Sequence, residues 1–108
     1  GPLVLPGRTA CLRCIDLTRR DRDPDWPMVS ARLGGYPAGE IACGTVLSSL
    51  VAAYTAGQVL AYVDGRGSHL AGGSVDVLPD WRWRKRSYRP HPQCSCYGNE
   101  RDFRRMVA

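Results

Sequence analysis

No G-x-G-x-x-G or G-x-x-x-x-G-K-[ST] loop occurs in this sequence, and neither H-E-x-x-H nor G-x-S-x-G is present. Phosphate-cradling loops, zinc-hydrolase helices and nucleophile elbows need those residues at those spacings, so the chain carries no complete active site of these kinds. The glycines of "GRGSH" (65–69) and "AGGS" (71–74) lie at no strand-to-helix junction. Histidine occurs only at His69 and His91, and neither is tied by spacing to a nucleophile. Aromatic residues are sparse, with one Phe, three Trp and five Tyr. No apolar run reaches the roughly 18 residues that a membrane span needs, so no membrane partner is expected. The start, "GPLVLPG", lacks the charged n-region of a secretory signal. No internal repeat or low-complexity tract is found.

What is present fits one compact domain. The chain has 108 residues, 44% hydrophobic and 23% charged, which is globular composition. A core of that size is modest, so a cross-link or a metal adds much to its stability. Formal net charge is +5, with five basic residues in "RWRKRSYR" (82–89) and three in "RDFRR" (101–105). Such a field attracts anions, nucleic acid among them, although a solvated basic surface is the plainer reading.

Hydrophobic patterning predicts the elements. "PLVLPG" reads as a short strand ended by Pro6-Gly7. Residues 8–18, "RTACLRCIDLT", read as a tight knuckle passing into a short helical turn. The following 22 residues are rich in charge, Pro and Gly and read as a long loop with a helical turn near 26–33. Residues 40–63 are the best helix, with Ile41, Val46, Leu47, Leu50, Val51, Tyr54, Val59, Leu60 and Val63 recurring at three- and four-residue spacing. Small residues, from Ala42 to Gly57, would let a neighbour approach closely, and "DGRGS" stops the helix. "SVDVL" (74–78) and "WRWRKRSY" (81–88) alternate and predict a hairpin, with Trp81 and Trp83 on one face and Arg82, Arg84 and Arg86 opposite. Residues 99–106 read as a short terminal helix or a frayed end.

Four of the five cysteines form two close pairs near the two ends, "CLRC" (Cys11, Cys14) and "CSC" (Cys94, Cys96). C-x-x-C aims both sulfurs at one point, and C-x-C does so with a tighter loop. Zinc takes four such ligands in a tetrahedron, and a four-cysteine site is closed, hence structural and not catalytic. Ligation by four thiolates would lower the net charge by about two. Three alternatives remain open: His91 in place of one sulfur, two disulfides, or a redox motif at Cys11 and Cys14. Cys43 is left over and reads as a small buried hydrophobe early in the long helix. His91-Pro92 is expected to orient the second knuckle, and His69 to lie exposed in a turn. An odd cysteine count, C-x-x-C spacing and the missing export signal predict a reducing, cytoplasmic setting.

"GPLVLPGRTACLRCIDLTRRDRDPDWP", the helix with "AAYTAGQVL" and the closing "HPQCSC" together resemble the C-terminal half of ThiF/MoeB-type adenylyltransferases, relatives of the ubiquitin-activating enzymes. The likeness is closest to actinobacterial proteins of this family, some of them associated with azole-forming cyclodehydratases. It spans nearly the whole chain, and its specific part is the cysteine motifs. The resemblance implies an α+β fragment of an α/β fold: one long helix packed with a C-terminal β-hairpin, and a zinc knuckle joining the ends as one subdomain over residues 1–108. It implies zinc held by Cys11, Cys14, Cys94 and Cys96, a crossover loop over 19–40 that guides a substrate tail, a helix over 41–63 packing back on a large sheet, and part of a dimer interface. In the family, ATP and magnesium serve a nucleotide-binding half that adenylates a C-terminal carboxylate. That half is absent here, so the chain alone should carry no catalytic or cofactor residues of that reaction. C-x-C replaces the family's second C-x-x-C. Implied partners are the nucleotide-binding half or a partner subunit, a peptide or ubiquitin-like tail, and a second copy in a homo-oligomer. The competing expectation is a small basic zinc module binding nucleic acid through the 81–89 strand, where aromatics would stack bases and arginines would meet phosphates.

Overall fold

A computed structural model describes residues 1–34, 39 and 43–96. They form three helices followed by a hairpin: α1 (Leu12–Arg22), α2 (Trp26–Leu33), α3 (Thr45–Val63), β1 (Gly73–Val77) and β2 (Trp83–Ser87). The chain is therefore a small α+β unit with one long helix and an antiparallel two-stranded hairpin.

Local chemistry explains each boundary. Cys11 takes extended backbone angles and caps α1, its carbonyl accepting the Ile15 N–H at 3.2 Å. Arg19, Arg20 and Arg22 occupy the last turn, where the helix dipole favours cations. Asp23 then leaves the helical region because Pro24 follows it, and its N–H closes back on the Arg19 carbonyl at 2.8 Å. Pro27 lies in the first turn of α2, where a missing N–H costs nothing. The expected loop over 19–40 is thus corrected for its first half: α1 continues to Arg22, since nothing before Pro24 breaks it, and 26–33 is a full helix.

α3 begins at Thr45, capped by Gly44, five residues later than the sequence suggested; residues 40–42 lie outside the described residues. Its C-terminus is a Schellman turn. Gly65 takes a φ of 75°, its N–H reaches the Tyr62 carbonyl at 3.0 Å, and the Arg66 N–H reaches Ala61 at 2.9 Å. A stripe of α3 (Leu47, Leu50, Tyr54, Gln58, Ala61) is partly covered by the rest of the chain. Tyr54 meets Trp83 edge-on with ring centroids 5.0 Å apart. Gln58 Oε1 accepts from Ser68 Oγ at 3.0 Å and from the His69 N–H at 2.7 Å, tying the turn after α3 to the helix. No residue of α3 is buried; Val46, Leu60 and Val63 are 60 to 72% exposed. The expectation that no run is long enough for a membrane is corrected, because Thr45–Val63 meets the length and composition of a span.

In the hairpin, Asp76 pairs with Arg84 and Val77 with Trp83. The second strand starts two residues later than its alternation suggested. Trp81 adopts a φ of 66°, the left-handed region, as the chain turns through Leu78 and Arg82. That kink removes Trp81 from the strand, so it does not share the Trp83 face. The strand expected at the N-terminus is reduced to one parallel bridge, Leu3 to Ala71, with the Leu3 N–H on the Leu70 carbonyl at 2.9 Å. The possible helix at 99–106 lies outside the described residues. Cys43 is corrected too. It precedes the Gly44 cap instead of entering the helix, and it is exposed.

The core is small and lies at one end. Ala10, Cys14, Ile15, Leu17, Tyr88 and Cys94 form one buried cluster, with Cys11 and Cys96 packed against it. At Gly73 a Cβ would stand 2.7 Å from the Arg86 carbonyl, so only glycine lets β1 approach β2 here. Gly73→Ala is expected to lower stability by about 1–3 kcal/mol, measured by urea unfolding of the metal-loaded protein.

Candidate metal centre

α1 and the loop at 91–96 each deliver two sulfurs. At the start of α1, Cys11 caps the helix and Cys14 lies in its first turn, fully buried. No acidic residue occupies that turn, so thiolates there supply the negative charge its N–H groups favour. The second pair is held by His91. Its carbonyl accepts the Cys94 N–H at 2.9 Å, and its Nδ1 accepts the Gln93 N–H at 3.1 Å. Nδ1 is therefore the acceptor nitrogen, and Nε2 carries the proton donated to Asp21 Oδ2 at 2.7 Å. Arg20 Nη2 donates to Gln93 Oε1 at 2.7 Å, so α1 grips the loop twice.

The four sulfurs of Cys11, Cys14, Cys94 and Cys96 all lie within 4.8 Å of one another. Separations are 3.7 Å for Cys11–Cys14, 3.6 Å for Cys11–Cys94 and 3.2 Å for Cys14–Cys96. A tetrahedron with metal–sulfur bonds of about 2.3 Å has edges of about 3.8 Å, so the set is near the size a zinc-like ion requires. The same separations are far above the disulfide bond length of about 2.05 Å, and all four cysteines are free. Both nitrogens of His91 are occupied by Gln93 and Asp21, so it positions the loop and is not a substitute ligand. The C-x-x-C does open a helix, as a redox motif would, but two further sulfurs complete a cluster around it. The four cysteines can hold a metal ion.

Electrostatics within the cluster are uneven. Burial opposes ionisation of Cys14, but hydrogen bonding from the His91 backbone, then from the Cys96 thiol and the other cysteines, outweighs it and brings the group down to about 6. Cys96 is pushed up by burial and then by its hydrogen bond with Cys14. Asp21 is held below the usual carboxylate range chiefly by its hydrogen bond with His91.

The basic strand looks different in three dimensions. Arg84 and Arg86 both reach Asp76, at 3.6 and 2.9 Å, and Arg82 is paired with Asp80. Trp83 is engaged by Tyr54. Three of the arginines and one of the tryptophans of the 81–89 segment thus have partners inside the chain, while Trp81 stays exposed. Sequence reasoning missed Asp21, Arg20 and Gln93 as supports of the cluster; their contacts join residues 70 or more positions apart, and no local pattern marks them. No family model, curated protein or solved structure matches the chain.

Two outcomes follow from this geometry. Cys94→Ser should abolish metal binding and cooperative unfolding, whereas Cys43→Ser, at an exposed site, should change stability by no more than about 0.5 kcal/mol; metal analysis and urea titration separate them. Bound thiolates have acid-shifted titrations, so the stability they contribute is present at neutral pH and lost as pH falls. Metal release into a chromophoric chelator should therefore increase as the pH is lowered from neutrality.

Proposed function

We propose that this chain is the zinc-stapled, non-catalytic C-terminal region of a ThiF/MoeB-like protein, acting as a scaffold that docks on a nucleotide-binding body. The observation that carries the proposal is the four-sulfur cluster, which ties α1 to the last described loop, with little other core among the described residues. Zinc suits four closed thiolate ligands better than magnesium or calcium, which take oxygen. The cysteine motifs and their order along the chain are those the family resemblance rests on.

α3 supports the docking part. It carries no charged residue, and most of its surface is exposed. An uncovered apolar surface of that extent marks an interface. One stripe is already taken by Trp83 and by the turn at Ser68 and His69, which favours a protein surface over lipid for the remainder. In this reading ATP and magnesium belong to the partner body, where a peptide or ubiquitin-like C-terminal carboxylate is bound or adenylated. This chain supplies rigidity and a contact surface.

Protein purified without added metal should contain about one zinc per chain, and near-zero metal in well-folded protein would falsify the staple. Co-expression with a ThiF-type nucleotide-binding half encoded beside it, or upstream in the same reading frame, should give a one-to-one complex. Val51→Asp and Val59→Asp on α3 should disrupt that complex, with ATP binding seen only in the complex. A chain that stays separate from such a half and self-associates through the same two valines would replace the docking reading with a homo-oligomer.

A further inference from the structure

Trp26 stands at the start of α2 between two cavities, and the one facing the hairpin is lined by Arg19, Arg22, Trp26, Arg86 and Tyr88, with Asp23 and Asp76. Its volume is about 390 Å³, within the range of small-molecule sites. Arginines from two elements meet there: two from the last turn of α1 and one from β2, more than 60 positions later. Repulsion among them opposes that arrangement unless something neutralises it.

The two carboxylates do so only in part. Asp76 is shared by Arg86 and Arg84. Asp23 Oδ1 accepts the Asp25 N–H at 3.0 Å and is directed into its own turn. Among the described residues, the guanidinium groups of Arg19 and Arg22 form no hydrogen bond and no ion pair. They sit three residues apart, on one face of α1. Arg19 lies over the Trp26 ring, its guanidinium carbon 4.7 Å from the centroid. Trp26 is fixed in turn by its Nε1–H donating to Asp16 Oδ1 at 3.3 Å. A guanidinium stacked on an aromatic face is held flat, and the N–H donors along its edge stay available for a bidentate acceptor.

We propose that this cavity binds a phosphate-class oxyanion, a phosphate or pyrophosphate group, with Arg19 and Arg22 as its donors and Arg86, oriented by Asp76, as the third cation. Compact trivalent or divalent oxygen anions match converging arginine forks better than a single carboxylate does. The helix dipole at this end of α1 supplies no attraction, so the arginines carry the binding. The site is separate from the sulfur cluster and does not depend on the family assignment above.

Calorimetric titration of the metal-loaded protein at low salt tests this, using inorganic phosphate, pyrophosphate and AMP as probes and citrate as a carboxylate control. One saturable site is expected for pyrophosphate, with citrate weaker. Arg22→Gln should weaken binding about tenfold, as should Arg19→Gln. Arg82→Gln, on an arginine paired outside the cavity, should leave it unchanged. Metal content and far-ultraviolet circular dichroism confirm that each variant is folded. AMP binding much more tightly than phosphate would place the base on Trp26 and assign the anion to a nucleotide; equal affinities would assign the phosphate group alone. No saturable binding, citrate binding as tightly as pyrophosphate, or equal losses in all three variants would overturn the proposal.

Discussion

Four cysteine sulfurs drawn to one point are the constraint on which this structure rests. Outside them, the buried cluster consists of Ala10, Ile15, Leu17 and Tyr88. Burying an aliphatic side chain contributes about 1.5–3 kcal/mol, and ordering each residue costs about as much. Among the described residues, these four and Leu70 are the only buried apolar side chains besides cysteine, a thin core for so many ordered residues. A structural zinc contributes on the order of 10 kcal/mol or more in small peptides, which is enough to decide the balance. The sulfurs also build the hydrophobic cluster, since Cys14 and Cys94 are among its buried members.

The clasp organises α1 from end to end. Sulfurs occupy the positive end of the helix and arginines the negative end, so both termini complement its dipole. With the N-terminal turn fixed, Asp21 and Arg20 reach the loop that carries Cys94, while Arg19 and Arg22 face the hairpin. His91 stands between these systems. Its ring is a hydrogen-bond bridge from the helix to the loop, the kind of outer support that sets ligand orientation around a metal.

α3 obeys a different logic. Its cap, its Schellman turn and its contacts with Trp83 and Gln58's partners define it as a helix, but they cover one stripe in part and bury no residue of it fully. A helix apolar around its whole circumference finds its stability in contact with another surface. The cysteine-clustered end and the uncovered helix therefore divide the described residues into a part with its own buried core and a part with none.

Much was legible in the residues. C-x-x-C and C-x-C pick out Cys11, Cys14, Cys94 and Cys96 because ligand spacing is local, and α3 and the hairpin follow from period and turn chemistry. Boundaries were less legible. Pro24 lets α1 run to Arg22, and the left-handed turn at Trp81 shortens β2; both depend on backbone detail that alternation does not encode. Cys43 was misplaced because helical periodicity continued past the true cap at Gly44. Only the tertiary structure decided that His91 serves as a bridge and not a ligand, that Asp76 takes up Arg84 and Arg86 of β2 and Asp80 takes up Arg82, and that, among the described residues, Arg19 and Arg22 form no ion pair beside Trp26. Those outcomes arise from contacts between residues far apart in sequence. Composition fixes which groups exist, but only the closed chain fixes which of them meet.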